Sequence, residues 1–196
     1  NGRASNYDRF VSDWIPNYQY FIDLLPKLFS KVENKHLLIA GCGTGNEILA
    51  LKRSGISWQI TGVDPSPQML KLARDKLKGY NDITLVDGEV RDLPLDPTFG
   101  GATLLLVLHF LQDDGAKLGL LQQIAGRLES GAPFVLLDIS GDIQHIRENL
   151  QILRLLIPKG MQIEQIQMRL ERIEKELFHV SEDRLIQLLQ EAGFTK

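Results

Sequence analysis

The 196-residue chain has few of the features that would define several function classes. It has one cysteine, Cys42, so no intramolecular disulfide can form, and this predicts a reducing, cytoplasmic location. It lacks any run of about 18 apolar residues, and its first 13 residues hold no apolar signal-peptide core. The net charge is only −3. We therefore expect no membrane association and disfavour a nucleic-acid partner.

The chain has one concentrated signal, in residues 36–47. Residues 37–40 form an apolar run that predicts a buried strand, and Gly41, Gly43 and Gly45 follow at alternate positions. A helical pattern begins directly afterwards. Glycines let the backbone turn sharply and let a ligand approach where a Cβ would stand in the way. A strand that turns through glycines into a helix is typical of nucleotide-binding folds.

Strand and helix patterns alternate along most of the chain, which predicts an α/β fold with a parallel sheet covered on both faces. We expect a single domain with a helical lid at 5–31, a core at 36–140 and C-terminal helices over 141–196. The predicted strands are 37–40, 58–63, 83–86, 103–108 and 133–139, and the predicted helices are 5–13, 17–31 with a kink or break at Pro26, 45–54, 66–79, 115–129, 142–157, 161–178 and 181–192.

The glycine spacing and a downstream acid narrow the class of nucleotide. Dinucleotide enzymes favour G-x-G-x-x-G, whereas the third glycine here comes one residue earlier. Asp64 ends the second predicted strand, 23 positions after Gly41, where a carboxylate can accept hydrogen bonds from a ribose diol. The alternative is that Asp64 only caps the helix that follows Pro65 and Ser66.

Four stretches, in this order, resemble the motifs of class I S-adenosylmethionine-dependent methyltransferases. The match runs from about residue 36 to 140. Its motifs are Ala40–Gly45, Gly62–Ser66, Gly88–Pro94 and Val107–Leu111. The resemblance implies a Rossmann-like doubly wound sheet, S-adenosyl-L-methionine as the cofactor and methyl transfer as the activity. Leu188–Phe194 is similar to a family segment that precedes two final antiparallel strands, which we do not expect within this chain.

The resemblance also implies roles for individual residues. The glycines would pass under the methionine and ribose of the cofactor, and Asp64 would hold the ribose hydroxyls. Glu89 would accept from the adenine amino group. Tyr7 lies in a Tyr-Asp pair typical of the N-terminal lid. The full set of implied cofactor-binding residues is Gly41, Cys42, Gly43, Gly45, Asp64, Pro65, Glu89, Val90, Leu106 and Tyr7.

Two positions depart from the family pattern. Ile39 stands where an acidic residue usually helps to bind the ammonium end of the cofactor, and Gly100 replaces an aspartate that often opens the fourth strand. Ile39 favours an alternative in which the chain is a non-catalytic cofactor-binding or scaffold homologue. A tRNA-modifying methyltransferase is a second alternative, which the acidic composition disfavours.

The acceptor and the catalytic residues are less defined. The segments 5–31 and 141–178 are rich in apolar and aromatic residues, including Trp14, Tyr18 and Met161, and we expect them to close over a small, partly apolar acceptor. No catalytic residue is assigned: His109 could be a general base or could hold the end of the fourth strand. No metal-ligand spacing is present, so no metal site is predicted.

Overall fold

In the computed structural model of the protein, residues 7–157 and 162–195 are described. The start of the helix predicted from residue 5 and the whole of Met161 lie outside these ranges. The helices and strands, in chain order, are α1 (Tyr7–Trp14), α2 (Tyr18–Leu28), β1 (His36–Ala40), α3 (Asn46–Arg53), β2 (Gln59–Asp64), α4 (Pro67–Lys76), β3 (Ile83–Asp87), β4 (Gly101–Leu105), α5 (Ala116–Ala125), β5 (Phe134–Leu137), α6 (Ile143–Leu156), α7 (Ile163–Glu176) and α8 (Glu182–Glu191).

The five strands form one parallel sheet in the order β3-β2-β1-β4-β5. The strand order reverses between β1 and β4, so the connections after these two strands leave on opposite sides. A crevice at the carboxyl ends of such a strand pair is the usual ligand position in open α/β sheets. The expected Rossmann-like, doubly wound fold is confirmed.

Both faces of the sheet are buried because successive side chains of each strand point to opposite sides. On one face, Leu37 and Ile39 pack into a core with α2 and α3; on the other, Leu38 and Ala40 pack into a core with α5 and α8. All four of these side chains are at most 1% exposed. The strand before the glycine loop is therefore held from both sides.

The structure corrects the bounds of the fourth predicted strand and the break predicted within the second helix. The fourth strand covers Gly101–Leu105, not 103–108, because Leu106 takes a left-handed conformation (φ +59°) that ends the strand, and a 3₁₀ turn follows at Leu108–Phe110. The break expected at Pro26 is wrong: α2 continues to Leu28.

None of the helices within the described ranges has both the length and the apolarity needed to cross a bilayer.

Candidate functional site

A small cavity lies where β1 and β4 end and the glycine loop begins. Its enclosed space is about 10 Å³, which is roughly the space that one water molecule needs. Five of the ten predicted site residues meet here: Tyr7, Gly41, Cys42, Gly43 and Leu106. The cavity is also lined by five residues that the sequence did not single out as site residues: Tyr18, Thr44, Asn46, Glu47 and Leu105.

The glycine loop has a backbone that only glycine adopts without strain. Gly41 and Gly43 have φ values of +68° and +50°. The N–H groups of Gly41 and Cys42 both donate to the Val63 carbonyl, at 2.8 and 3.0 Å, which joins the loop to β2. A Cβ on Gly41 would lie 2.4 Å from Cγ2 of Val107, whereas one on Gly43 would be 3.8 Å from its nearest neighbour, the Tyr7 ring.

Gly45 has a packing role. It has a φ of +82° and precedes α3, and a Cβ there would lie 2.9 Å from Cδ1 of Leu77. The absence of a side chain therefore lets α3 start close to the end of α4. Gly45 does not line the cavity.

Asp64 ties the glycine loop to the end of β2. One oxygen, Oδ2, accepts from the Gly43 N–H at 2.8 Å, and the other, Oδ1, accepts from the Ser66 N–H at 2.9 Å. Burial raises the pKa of Asp64, and these two hydrogen bonds oppose that rise. The N-cap of α4 is Ser66, so the alternative of Asp64 as a simple helix cap is wrong.

The first two helices, α1 and α2, form the wall of the cavity opposite the glycine loop. Tyr7 on α1 and Tyr18 on α2 line it, and burial raises the pKa of Tyr7 to about 12. Asp8 joins this lid to the loop because it accepts from the Thr44 hydroxyl at 2.5 Å and pairs with Lys76 at 2.7 Å. The lid is thus fixed to the glycine loop and to α4.

The carboxyl of Glu47 is the main feature that sequence reasoning missed. This residue lies in the first turn of α3, is 5% exposed, and its Oε2 accepts from the Thr103 hydroxyl at 2.5 Å. Burial raises the pKa of Glu47 to about 8, and the Thr103 hydrogen bond only partly opposes this. A signal was present: Glu47 is four residues before Leu51, on the inward face of α3.

Leu106 adds backbone strain to the cavity wall. A non-glycine residue with positive φ is uncommon, and such residues cluster at functional sites. Its N–H donates to the Leu137 carbonyl at 2.7 Å, which holds it at the end of β4.

The predicted adenine contacts lie outside this cavity, at the neighbouring strand ends. Glu89 follows β3, its side chain is 51% exposed, and its Oε2 lies 3.1 Å from Nε of Arg91. The Val90 side chain is buried in the core. Pro65 is exposed in the turn after Asp64. Asp64 pairs in register with Asp87 at the end of β3, so these residues share one edge of the sheet.

The side chains of Cys42 and His109 are both buried. Burial raises the pKa of the Cys42 thiol, which disfavours a thiolate nucleophile. His109 is 5% exposed, and its Nδ1 lies 2.6 Å from Oδ1 of Asp138. Asp138 also accepts from the backbone N–H groups of Leu108 and Ile139, so this pair links the ends of β4 and β5. The geometry favours a structural role for His109.

In residues 7–157 and 162–195, no group of three or more histidine, cysteine or acidic side chains is arranged to hold a metal ion.

Residues 37–131 match a family model described as a methyltransferase domain. Demethylmenaquinone methyltransferase of Staphylococcus haemolyticus is 28% identical over 202 aligned positions, which cover 98% of this chain and 82% of that protein. An uncharacterized methyltransferase of Bacillus subtilis, YrrT, is 37% identical over 124 positions, or 61% of this chain and 56% of its own length.

Solved structures also share the fold. The plantazolicin methyltransferase BpumL, in complex with a pentazolic desmethylPZN analog and SAH, superposes with a TM-score of 0.69 at 15% identity, over 94% of this chain and 66% of that one. Residues 37–131 therefore form a methyltransferase domain, and the expected resemblance to the class I S-adenosylmethionine-dependent methyltransferases is confirmed. The solved structure shows that the fold is shared.

Proposed function

We propose that this protein transfers the methyl group of S-adenosyl-L-methionine to a small, partly apolar acceptor. The observation that carries the proposal is the cavity between the glycine loop and the lid, since it combines backbone without side chains with one buried carboxyl group, that of Glu47. The aligned part of the chain covers 82% of the Staphylococcus protein but only 56% of the Bacillus protein, so the activity of the whole protein is part of this proposal.

Residues of the cavity and of the neighbouring strand ends have the chemistry that the cofactor requires. Gly41 and Gly43 line the space, and Gly43 leaves room for a ligand against its backbone because the nearest atom to its Cβ position is 3.8 Å away, in the Tyr7 ring. Asp64 stands beside the loop and offers carboxylate oxygens to a ribose diol. Glu89, on the same edge of the sheet, carries an exposed carboxylate for an amino group.

When bound, the cofactor supplies a methyl group on a positively charged sulfur, which is strongly electrophilic. The acceptor's nucleophile would form a bond to the methyl carbon as the carbon–sulfur bond breaks, and S-adenosylhomocysteine would be the leaving group. The protein must align the acceptor with that carbon and exclude water. The lid residues Tyr7 and Tyr18 suit the second task because they line the cavity opposite the glycine loop, and they move outward to admit a ligand larger than one water molecule.

The acceptor class is supported by the helices around the lid. Arg169 of α7 stacks over the rings of Phe10 and Trp14 on α1, at 4.6 and 5.2 Å, so α7 lies against the lid. Several large apolar side chains of α6 and α7 are exposed, namely Ile152, Leu155, Leu156, Ile163 and Met168. Exposed apolar side chains on a helix that lies against the lid fit a partly apolar acceptor, and demethylmenaquinone, named for the Staphylococcus relative, is of that kind.

The test is methyl transfer from labelled S-adenosylmethionine to a panel of small phenols, quinols, amines and bulk tRNA. We expect transfer to an apolar small molecule. The paired variant Ile163→Ser/Met168→Ser should raise the KM for that acceptor and leave S-adenosylhomocysteine affinity unchanged, because both side chains lie outside the cavity.

Glu164→Gln, on the same helix, is the matched control and should change neither quantity. Transfer to tRNA with none to the panel would overturn the acceptor class. Failure of the wild-type protein to bind S-adenosylhomocysteine at about millimolar concentration would overturn the proposed activity as a whole.

A further inference from the structure

The carboxyl of Glu47 is buried beside the cavity with little to compensate its charge. Within the described residues, the Thr103 hydroxyl is its one side-chain hydrogen-bond partner, and no basic side chain contributes to its pKa. A buried carboxylate without a cation is costly, so such a group either stays protonated or meets a positive ligand.

The position of Glu47 indicates what kind of ligand that is. It lines the same small space as Gly41, Gly43 and Leu106, which lies at the loop end of the site, away from Glu89. The cofactor carries an α-amino acid at one end, and its ammonium is the cationic group that could meet a carboxylate there. Glu47 would then gain the cation that the protein itself does not supply.

Strand register connects Glu47 to the departure at Ile39. Thr103 is the β4 partner of Ile39 in the sheet, and both side chains are fully buried. Through its bond to Thr103, the Glu47 carboxyl from α3 therefore reaches the place beside Ile39 on the same face of the sheet. The chain thus has an acidic group near this point, delivered by a helix rather than by β1.

We propose that Glu47 binds the ammonium of the cofactor's amino-acid end and takes the place of the acidic side chain that Ile39 lacks. The inference rests on the proposed function. In the ligand-free protein the carboxyl holds a proton at neutral pH, and on binding it releases that proton to solvent and forms a charged hydrogen bond to the ammonium.

The tyrosine and cysteine side chains that line the cavity with Glu47 do not titrate near neutral pH. Tyr7 on α1, Tyr18 on α2 and the Cys42 thiol in the loop all have raised pKa values. The nearby charges, Asp8 of α1 and Lys76 of α4, are paired with each other. Proton release on binding that depends on this side chain would therefore report on Glu47.

Calorimetry with two ligands tests the proposal. S-adenosylhomocysteine carries the amino-acid end, whereas 5′-methylthioadenosine keeps the adenosine and the sulfur but lacks it. Glu47→Gln should lower the affinity for S-adenosylhomocysteine roughly 10- to 150-fold, the range for a lost charge-assisted hydrogen bond. It should change the affinity for methylthioadenosine by less than about twofold.

Titrations of S-adenosylhomocysteine at pH 7 in two buffers of different ionisation enthalpy give the second readout. The wild type should release close to one proton more than Glu47→Gln. Unchanged methylthioadenosine binding also shows that the variant is folded.

Equal loss of both ligands, or no loss of either, would overturn the role of Glu47 while leaving the cofactor site in place. Absence of binding of either ligand to the wild type would instead defeat the site itself, and this proposal with it.

Discussion

The two ends of the candidate cofactor site differ in how their acidic groups are held. At the loop end, Glu47 is buried under two tyrosines and bonded to one hydroxyl. At the outer end, Glu89 is half exposed and paired with Arg91. Asp64 stands between them, with both oxygens bonded to backbone N–H groups. A charge at the buried end should therefore act strongly on affinity and on stability, and one at the exposed end weakly.

The glycine loop is shared by both ends, and its disruption should have the largest effect. Gly41→Ala combines the left-handed strain of a non-glycine residue, about 1–2 kcal/mol, with a Cβ placed 2.4 Å from Val107, which adds about 1–3 kcal/mol. We expect the free energy of unfolding to fall by about 2–5 kcal/mol, measured by urea denaturation, and the affinity for methylthioadenosine to fall with it.

Gly43→Ala is the matched control for steric conflict. It has the same kind of backbone strain, but its Cβ would meet no atom closer than 3.8 Å. We therefore expect the free energy of unfolding to fall by only about 1–2 kcal/mol. Equal losses of unfolding free energy in the two variants would show that the contact with Val107 adds nothing to the destabilisation by Gly41→Ala.

The buried end should also make the stability of the ligand-free protein depend on pH. Burial raises the pKa of Glu47 to about 8 from an ordinary 4.5. Between these values the folded state keeps a proton that the unfolded state has lost. The contribution of this carboxyl is thus fully present below pH 4.5 and is lost as the pH rises through 8.

Glu47→Gln should remove this loss. In urea denaturation at pH 5, 6.5 and 8.5, the free energy of unfolding of the variant should rise relative to that of the wild type. The difference should grow with pH and reach up to a few kcal/mol at the highest pH. The comparison cancels other titrating groups, since both proteins contain them. Parallel pH profiles for the two proteins would show that the Glu47 carboxyl is not desolvated in solution.

Asp64 should have an intermediate effect, and one that does not distinguish ligands by their amino-acid end. In Asp64→Asn, a remaining oxygen can still accept from one backbone N–H, but the charge offered to the ribose is lost. We expect the binding of S-adenosylhomocysteine and that of methylthioadenosine to weaken by the same amount, about 1–3 kcal/mol in calorimetry. A selective loss of S-adenosylhomocysteine alone would place Asp64 at the amino-acid end instead.

The fold could be predicted from the sequence because its signals are local. Buried strands, alternate glycines and the acid after β2 occur within short stretches, and the parallel sheet follows from the alternation of strands and helices. The boundary at Leu106 could not be predicted, because a leucine with positive φ is imposed by its surroundings, here the bond to Leu137. Glu47 was missed for a related reason: its meaning depends on Thr103, 56 positions away.

The exposed end should show the smallest effect. Glu89→Gln removes a carboxylate that is 51% exposed and that already meets Arg91 at 3.1 Å, and exposed ion pairs contribute about 0–1 kcal/mol. We expect methylthioadenosine affinity to fall by no more than about fivefold and the melting temperature to stay unchanged. The fall should shrink further at 0.5 M NaCl, because salt screens exposed charges and leaves buried ones largely unaffected. A loss as large as that of Asp64→Asn would mean that the outer end is desolvated when ligand binds, and the contrast between the two ends would then disappear in the bound state.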